Sequence, residues 1–271
     1  MSTKSELRRE LLLELIKRNG KMSLKEMIEA TGSSEATVRR DLDILEKSEL
    51  IIRTIGGAVY EGTVTQVSPE KSFADKSLEF RREKERIAEA AASFVKEGEV
   101  VCLTGGTTAY FIARALKRMQ GITVVTNAVN IAMELADAEG VQVVVIGGVM
   151  RQKSYELIGP LAESVIGNLN ISLMFLGVNG VTPQHGFTTH SELEARVAQL
   201  LMDRSSRIYA VFDHSKFMKS ALFTIAPLSR ADGIVTDRKP DPRLMRACEE
   251  AGLDVRWPQE NEIAEGRPVK P

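Results

Sequence analysis

The residues best suited to recognising charge fall in two groups. In the first, Glu35, Ala36, Thr37 and Arg40 are candidate readers of base edges, with Arg39 or Arg40 free to grip phosphate. Arg53 stands a little further on, where a projecting hairpin could reach a backbone phosphate. The second group follows short apolar runs. It begins with Thr104-Gly105-Gly106-Thr107-Thr108 and continues with Asn127, Gly148, Arg151, Asn179 and Lys216. Glycines in such a loop let backbone N–H groups turn toward an anion, and Thr107 and Thr108 add hydroxyl donors. The loop lacks the Gly-Lys-Ser/Thr ending of a Walker loop, which argues against a nucleoside triphosphate.

The first group needs a helix to present it. Ser34 is the N-cap candidate, and Val38, Leu42 and Leu45 recur at helical spacing with Ile44 beside them. Upstream, Ser23-Leu24-Lys25-Glu26 has the capping-box pattern and opens a short helix to about Ala30. Thr31-Gly32-Ser33 makes the turn, with Gly32 at positive φ. Two short helices around such a turn form the helix-turn-helix pattern, whose second helix enters the major groove. Residues 4–18 add a first helix with Leu7, Leu11, Leu12, Leu15 and Ile16 apolar, ended by Asn19-Gly20. Leu50–Arg53 and Ala58–Tyr60 around Gly56-Gly57 predict a two-stranded wing.

The second group needs strand ends. Val100–Leu103, Thr123–Thr126, Val141–Ile146, Leu173–Gly177, Ile208–Phe212 and Ile234–Thr236 are short and almost continuously apolar, as parallel strands covered on both faces tend to be. Helical patterns lie near 109–119, 128–138, 161–168 and 191–204, and one long helical pattern runs from Phe73 to Phe94. The alternation predicts an open, mostly parallel α/β sheet. Ligands of such sheets bind outside the carboxyl ends of the strands, where these residues converge as an anion pocket. The expected domains are a winged helix-turn-helix at 1–60, a linker at 61–80, an α/β sensing domain at 81–257 and a polar tail at 258–271.

The ordered run Ser34, Thr37, Val38, Arg39, Arg40, Asp41, Leu42, then Leu50, Ile51, Arg53, Gly56, Gly57 and Ala58, resembles the DeoR-type bacterial repressors. The resemblance continues through Gly106–Thr108, Val125–Asn127, Gly147–Arg151, Phe175–Gly180 and Asp213–Lys216, from about Leu7 to Asp237 in all. It implies a sensor domain related to ribose-5-phosphate isomerase and glucosamine-6-phosphate deaminase, in which the loop and Lys216 hold the phosphate of a sugar phosphate. Asn127, Arg151 and Glu192 would then face its hydroxyls. Three positions depart from the family pattern. Ser33 replaces an apolar residue, Thr104 a common Asp, and Ser172 a frequent Asp. Losing an acid at Thr104 makes the pocket more positive and opens the identity of the anion.

An isomerase would need a placed carboxylate base. Gly177-Val178-Asn179-Gly180 offers none, leaving Glu192 and His190, and Ser191 with Glu194 reads as a plain helix start. The expectation is therefore a regulator and not an enzyme, with a sugar-phosphate isomerase or deaminase carrying a DNA-binding domain as the rival. A regulator whose pocket serves only for packing is a third reading. Partners would be double-stranded operator DNA, a phosphorylated sugar and at least one further copy of the chain, as a dimer or tetramer, with no cofactor and no metal.

Bulk properties fit two domains in 271 residues, with 43% hydrophobic residues and a net charge of −1. Residues 1–60 hold 11 Lys/Arg against 10 Asp/Glu, a surplus of one, so any DNA electrostatics must come from local placement and a second copy. Cys102 and Cys248 have no disulfide or zinc spacing, and Cys102 sits in an apolar run as a buried thiol. No signal segment and no run of ~18 apolar residues is present, so a reducing cytoplasm is expected.

Overall fold

A computed structural model describes residues 4–19, 21–47, 51–54, 56–60 and 70–258. The chain divides into two compact units, Met1–Val67 and Ser68–Pro271. Leu50, Gly20, residues 61–69 of the expected linker and residues 259–271 of the expected tail lie outside the described residues.

The first unit is built from α1 (Lys4–Asn19), β1 (Lys21–Ser23), α2 (Leu24–Thr31), α3 (Glu35–Lys47), β2 (Ile51–Thr54) and β3 (Gly57–Tyr60). Its core gathers Leu12, Ile16, Met22, Met27, Val38, Leu42, Leu45, Ile51 and Ala58. The predicted stripe of α1 is narrower than expected: Leu7 and Leu11 are 56% and 44% exposed, because only Leu12 and Ile16 point squarely into the core. Ile44 on α3 is exposed too. The Ser23–Glu26 capping box forms, and Gly32 closes α2 at φ 59°. The wing carries a strand absent from the sequence reading. β1 pairs antiparallel with β3, which pairs with β2, giving the order β1-β3-β2. Gly57 is where they meet: a Cβ there would lie 2.0 Å from the Met22 carbonyl oxygen. Asp41 is buried and bridged by Arg8, with Arg9 at 3.6 Å, which ties α3 to α1.

The second unit opens with α4 (Phe73–Leu78) and α5 (Arg81–Ala92). There follow β4 (Val100–Leu103), α6 (Thr107–Leu116), β5 (Ile122–Thr126), α7 (Val129–Leu135), β6 (Val141–Val145), the hairpin β7 (Val149–Arg151) and β8 (Glu156–Ile158), and α8 (Pro160–Ile166). Next come β9 (Leu173–Gly177), β10 (Gly180–Thr182), β11 (Gly186–Thr189), α9 (Glu192–Met202), β12 (Ile208–Val211) and β13 (Phe223–Ala226). The unit ends with β14 (Gly233–Val235), α10 (Pro242–Glu250) and β15 (Asp254–Arg256). Seven strands form one parallel sheet in the order β15-β14-β12-β9-β4-β5-β6, and β10-β11-β13 form a small antiparallel sheet.

The apolar runs are continuous because both faces of this sheet are covered. Val101, Leu103, Leu173 and Phe175 pack with α5, α6 and α7. Their alternate neighbours Cys102, Met174 and Leu176 pack with α8, α9 and α10. Burial pushes the Cys102 thiol up to about 12. After β4 the chain adds β5 and β6 on one side, then returns to place β9 on the other. The switch point of the sheet therefore lies between the ends of β4 and β9.

The pattern expected as one helix from Phe73 to Phe94 is two helices. Phe80 takes a left-handed conformation at φ 51°, which ends α4 and starts α5 on a new axis. The break is held by Lys84, whose buried amine donates to the carbonyls of Lys76 and Glu79 at 2.5 and 2.6 Å. Residues 70–80, read from sequence as linker, are thus folded into the second unit.

Candidate functional site

On the first unit, α3 presents Glu35, Ala36, Arg39 and Arg40 to solvent, with Thr37 half-buried. Ser34 caps the helix, its hydroxyl accepting from the Thr37 amide at 3.3 Å and pairing with the Thr37 hydroxyl at 2.8 Å. Arg39 is drawn onto Glu35 at 2.7 Å, whereas exposed Arg40 forms no ion pair among the described residues. Arg53 does not project from the wing. It folds back onto α3, donating to Asp43 at 2.8 Å and to the Arg39 carbonyl at 3.2 Å.

On the second unit, the β4 and β9 ends are clasped together. The Gly177 amide donates to the Thr104 hydroxyl at 2.8 Å, and a Cβ on Gly177 would lie 2.4 Å from the Gly105 carbonyl oxygen. Ser172 accepts from the Val100 amide at 3.2 Å at the other end of the same strand pair. Gly106 at φ 113° starts α6, which buries Thr107 and Thr108. Beside this switch point opens a cavity of about 470 Å³ lined by Lys71, Lys76, Lys216, Lys219, His190 and Asn179, with Glu79, Phe80 and Ser215 completing the wall. Lys71 is paired with Glu79 at 2.5 Å. Burial, and the positive charges of Lys76 and Lys219, pull the Lys216 amine below its ordinary pKa against the opposing charge of Asp213. Burial likewise holds the His190 imidazole down to about 4, leaving it neutral at pH 7. An anion beside the Lys216 amine would favour its charged form.

Of the remaining predicted residues, Asn127 and Arg151 belong to an adjoining cluster of carboxylates. Arg151 is forked onto Glu70 and donates to Glu194 at 3.1 Å. Burial works against the Arg151 charge, but these carboxylates raise its pKa overall. Glu194 also accepts from Ser154 at 2.6 Å and from Thr189 at 2.8 Å, and Thr189 reaches Asn179 at 2.9 Å, which leads back to the cavity wall. Asn127 is fully buried, donates to Glu156 at 2.9 Å, and leaves its Oδ1 without a partner among the described residues. Glu156 rests against Gly105, where a Cβ would come within 2.2 Å of it. Burial and the neighbouring Glu194 charge push the Glu156 carboxyl up. Gly148, at φ 145°, lies against the Ile158 backbone of the β7–β8 hairpin. Glu192 opens α9, capped by Ser191.

Asn179 and Lys216 therefore line the cavity, the 104–108 loop closes its neighbouring switch point, and Asn127 and Arg151 belong to the carboxylate cluster alongside. Sequence reasoning expected fewer acids than the site contains. Glu70, Glu156 and Glu194 lie in the cluster beside the cavity, and sequence reasoning assigned none of them to it. It also missed Lys71, Lys76 and Lys219 as cavity residues.

The N-terminal unit matches the family model of the DeoR-like helix-turn-helix domain over residues 8–64, and residues 79–238 match that of the DeoR C-terminal sensor domain. The putative aga operon transcriptional repressor of Escherichia coli O157:H7 is 33% identical over 248 residues, covering 92% of each chain. The chain belongs to the DeoR family. It is a DNA-binding transcriptional regulator and not an enzyme, as its relatives are. The HTH-type transcriptional regulator GlpR of Haloferax volcanii is 34% identical, covering 92% of this DeoR-family chain and 96% of its own. The glycerol-3-phosphate regulon repressor of Escherichia coli K12 is 29% identical, over 87% of this chain and 92% of its own. Among solved structures, ribose 5-phosphate isomerase A of Methanocaldococcus jannaschii aligns over 51% of this chain and 54% of its own, at 15% identity and a TM-score of 0.39. That likeness is too slight to bear on function. No helix among the described residues is long and apolar enough to cross a membrane.

Proposed function

We propose that this DeoR-family chain represses a carbohydrate-catabolic operon and leaves its operator when a phosphorylated sugar enters the lysine-lined cavity. The observation that carries this reading is the cavity itself. Lys76, Lys216 and Lys219 face a space of about 470 Å³ at the switch point of a parallel sheet, within the volume range of small-molecule sites. A phosphate dianion among those amines relieves their mutual repulsion. Asn179, Thr189 and the carboxylates behind them suit sugar hydroxyls, which both donate and accept.

Operator binding falls to α3. Its exposed first turns, with Glu35, Ala36, Thr37 and Arg40, enter the major groove, while Ser34 holds the helix start and Arg39 and Arg53 brace its outer face near the phosphates. A single small winged domain makes too few contacts for a specific site, so at least two copies bind repeated half-sites.

A panel of phosphosugars run in parallel by thermal shift and operator gel shift tests this reading. One member should both raise the melting temperature and release DNA. Lys216→Ala should bind the operator as the wild type does and ignore that compound. If no phosphosugar stabilises the protein, the cavity is a packing feature. If a bound phosphosugar is turned over, the enzyme reading takes its place.

A further inference from the structure

Residues 70–80 lie across the carboxyl ends of the strands as a strap, fastened at several points. Both terminal nitrogens of Arg151 fork onto the Glu70 carboxylate, whose side chain is 9% exposed. The Phe73 amide donates to the Lys153 carbonyl at 3.1 Å, and its ring packs between Tyr110 and Tyr155 with centroids 5.7 and 5.3 Å away. Phe80 meets the His214 ring edge-on at 4.6 Å. The strap is thus held by ring contacts at Phe73 and Phe80, by the Lys84 amine on the carbonyls of Lys76 and Glu79, and by the Glu70–Arg151 ion pair at its start.

That contact is unusual in kind. A planar guanidinium in a recessed site is the geometry that takes a phosphate or carboxylate in two parallel bonds. Arg151 is connected to the cavity wall by three successive hydrogen bonds, through Glu194, Thr189 and Asn179. Here its fork is filled by the chain's own carboxylate. Burial tends to raise the Glu70 pKa, but the Arg151 hydrogen bonds and charge, helped by Lys76, bring it below the usual range. Glu70 is therefore a full anion at neutral pH, held by the cations that an anionic ligand needs.

We propose that Glu70 is a tethered stand-in for the effector: an anionic group of the ligand takes its place on Arg151, and the displaced strap end carries the signal into residues 61–69, which continue into the DNA-binding unit. This rests on the anion-cavity reading above and adds the competitor. Removing Glu70 costs the fold little at Arg151, because Glu194 remains as its counter-charge. The strap becomes a switch because a ligand shifts an equilibrium only by its differential affinity for two states, and the Glu70–Arg151 pair exists in one of them.

The test uses the full chain, with inorganic phosphate as the probe and potassium chloride at matched ionic strength as the control. Phosphate affinity is measured by isothermal titration for the wild type, Glu70→Gln and Glu70→Asp. A site closed by its own carboxylate about nine-tenths of the time has its apparent affinity weakened about ten-fold. Glu70→Gln should therefore bind phosphate about ten-fold more tightly, with Glu70→Asp, which keeps the charge on a shorter arm, in between. Hydrogen exchange gives a second reading that does not depend on affinity. Peptides spanning residues 70–78 should exchange faster in the wild type when phosphate is added, and fast in Glu70→Gln without it. Equal phosphate affinity in wild type and Glu70→Gln overturns the stand-in role while leaving the anion cavity intact. Phosphate binding to neither overturns both. Slower strap exchange on adding phosphate also overturns the displacement.

Discussion

Lys84 is the point at which the strap's helical break is secured, and its loss has a calculable cost. The amine is 3% exposed, donates to two carbonyls at 2.5 and 2.6 Å, and stands 3.8 Å from Asp213 Oδ2, which has no hydrogen-bond partner among the described residues. Lys84→Met keeps the approximate volume and removes the charge. It leaves Asp213, 1% exposed, as a buried carboxylate that has lost its ion-pair partner. Removing one partner of such a pair costs about 3–5 kcal/mol, chiefly the penalty of the charge left behind. The single tryptophan, Trp257, lies in the second unit, so its fluorescence reports the unfolding of that unit. With a urea slope of about 3 kcal/mol/M for a unit of this size, the midpoint should fall by about 1–2 M. Adding Asp213→Asn should restore part of the loss, with a coupling of about 2 kcal/mol in the double-mutant cycle. A midpoint unchanged by Lys84→Met, or strictly additive effects of the two substitutions, would refute the reasoning.

Arg40→Ala should weaken operator binding by about 1–3 kcal/mol if Arg40 reads a base, and unchanged affinity in a gel-shift titration would remove it from the interface. The His190 imidazole, held at about 4, predicts a pH dependence with a definite sign. Between pH 6.5 and 4 the unfolded chain takes a proton there that the folded chain refuses, so its contribution is complete above pH 6.5 and is lost as pH falls toward 4. From pH 7 to 5 this one group should cost about 2 kcal/mol, measured as the difference between wild type and His190→Gln in urea melts at both pH values. If the two proteins lose stability equally, His190 is not the group responsible.

The parts that could be read from sequence were those with local, repeated signals. β4, β5, β9 and β12 announced themselves because both of their faces are covered, so nearly every position is apolar. α2 and α3 did so through Ser23, Glu26, Gly32 and Ser34, whose capping roles are confined to one turn. β1 escaped because three residues cannot establish a period, and β15 because it is a half-exposed edge strand with Asp254 and Arg256 in it. α10 did leave a signal in Asp241-Pro242, an N-cap followed by proline at the first helical position. The break at Phe80 had none, since no glycine marks its positive φ and the donor that holds it, Lys84, looks like any surface lysine. In the site, residues at strand ends were found because the fold dictates where strand ends converge. Glu70 was not, because its partner is 81 residues away and its own segment is polar and unpatterned.

Arg53 bears on how any signal can be delivered. By bonding Asp43 and the Arg39 carbonyl it fastens the hairpin to the outer face of α3, while Asp41 with Arg8 fastens the inner face to α1. The helix and its hairpin are consequently one stiff block, and on the operator reading proposed above an effector would act on where that block is held and not on which bases it recognises.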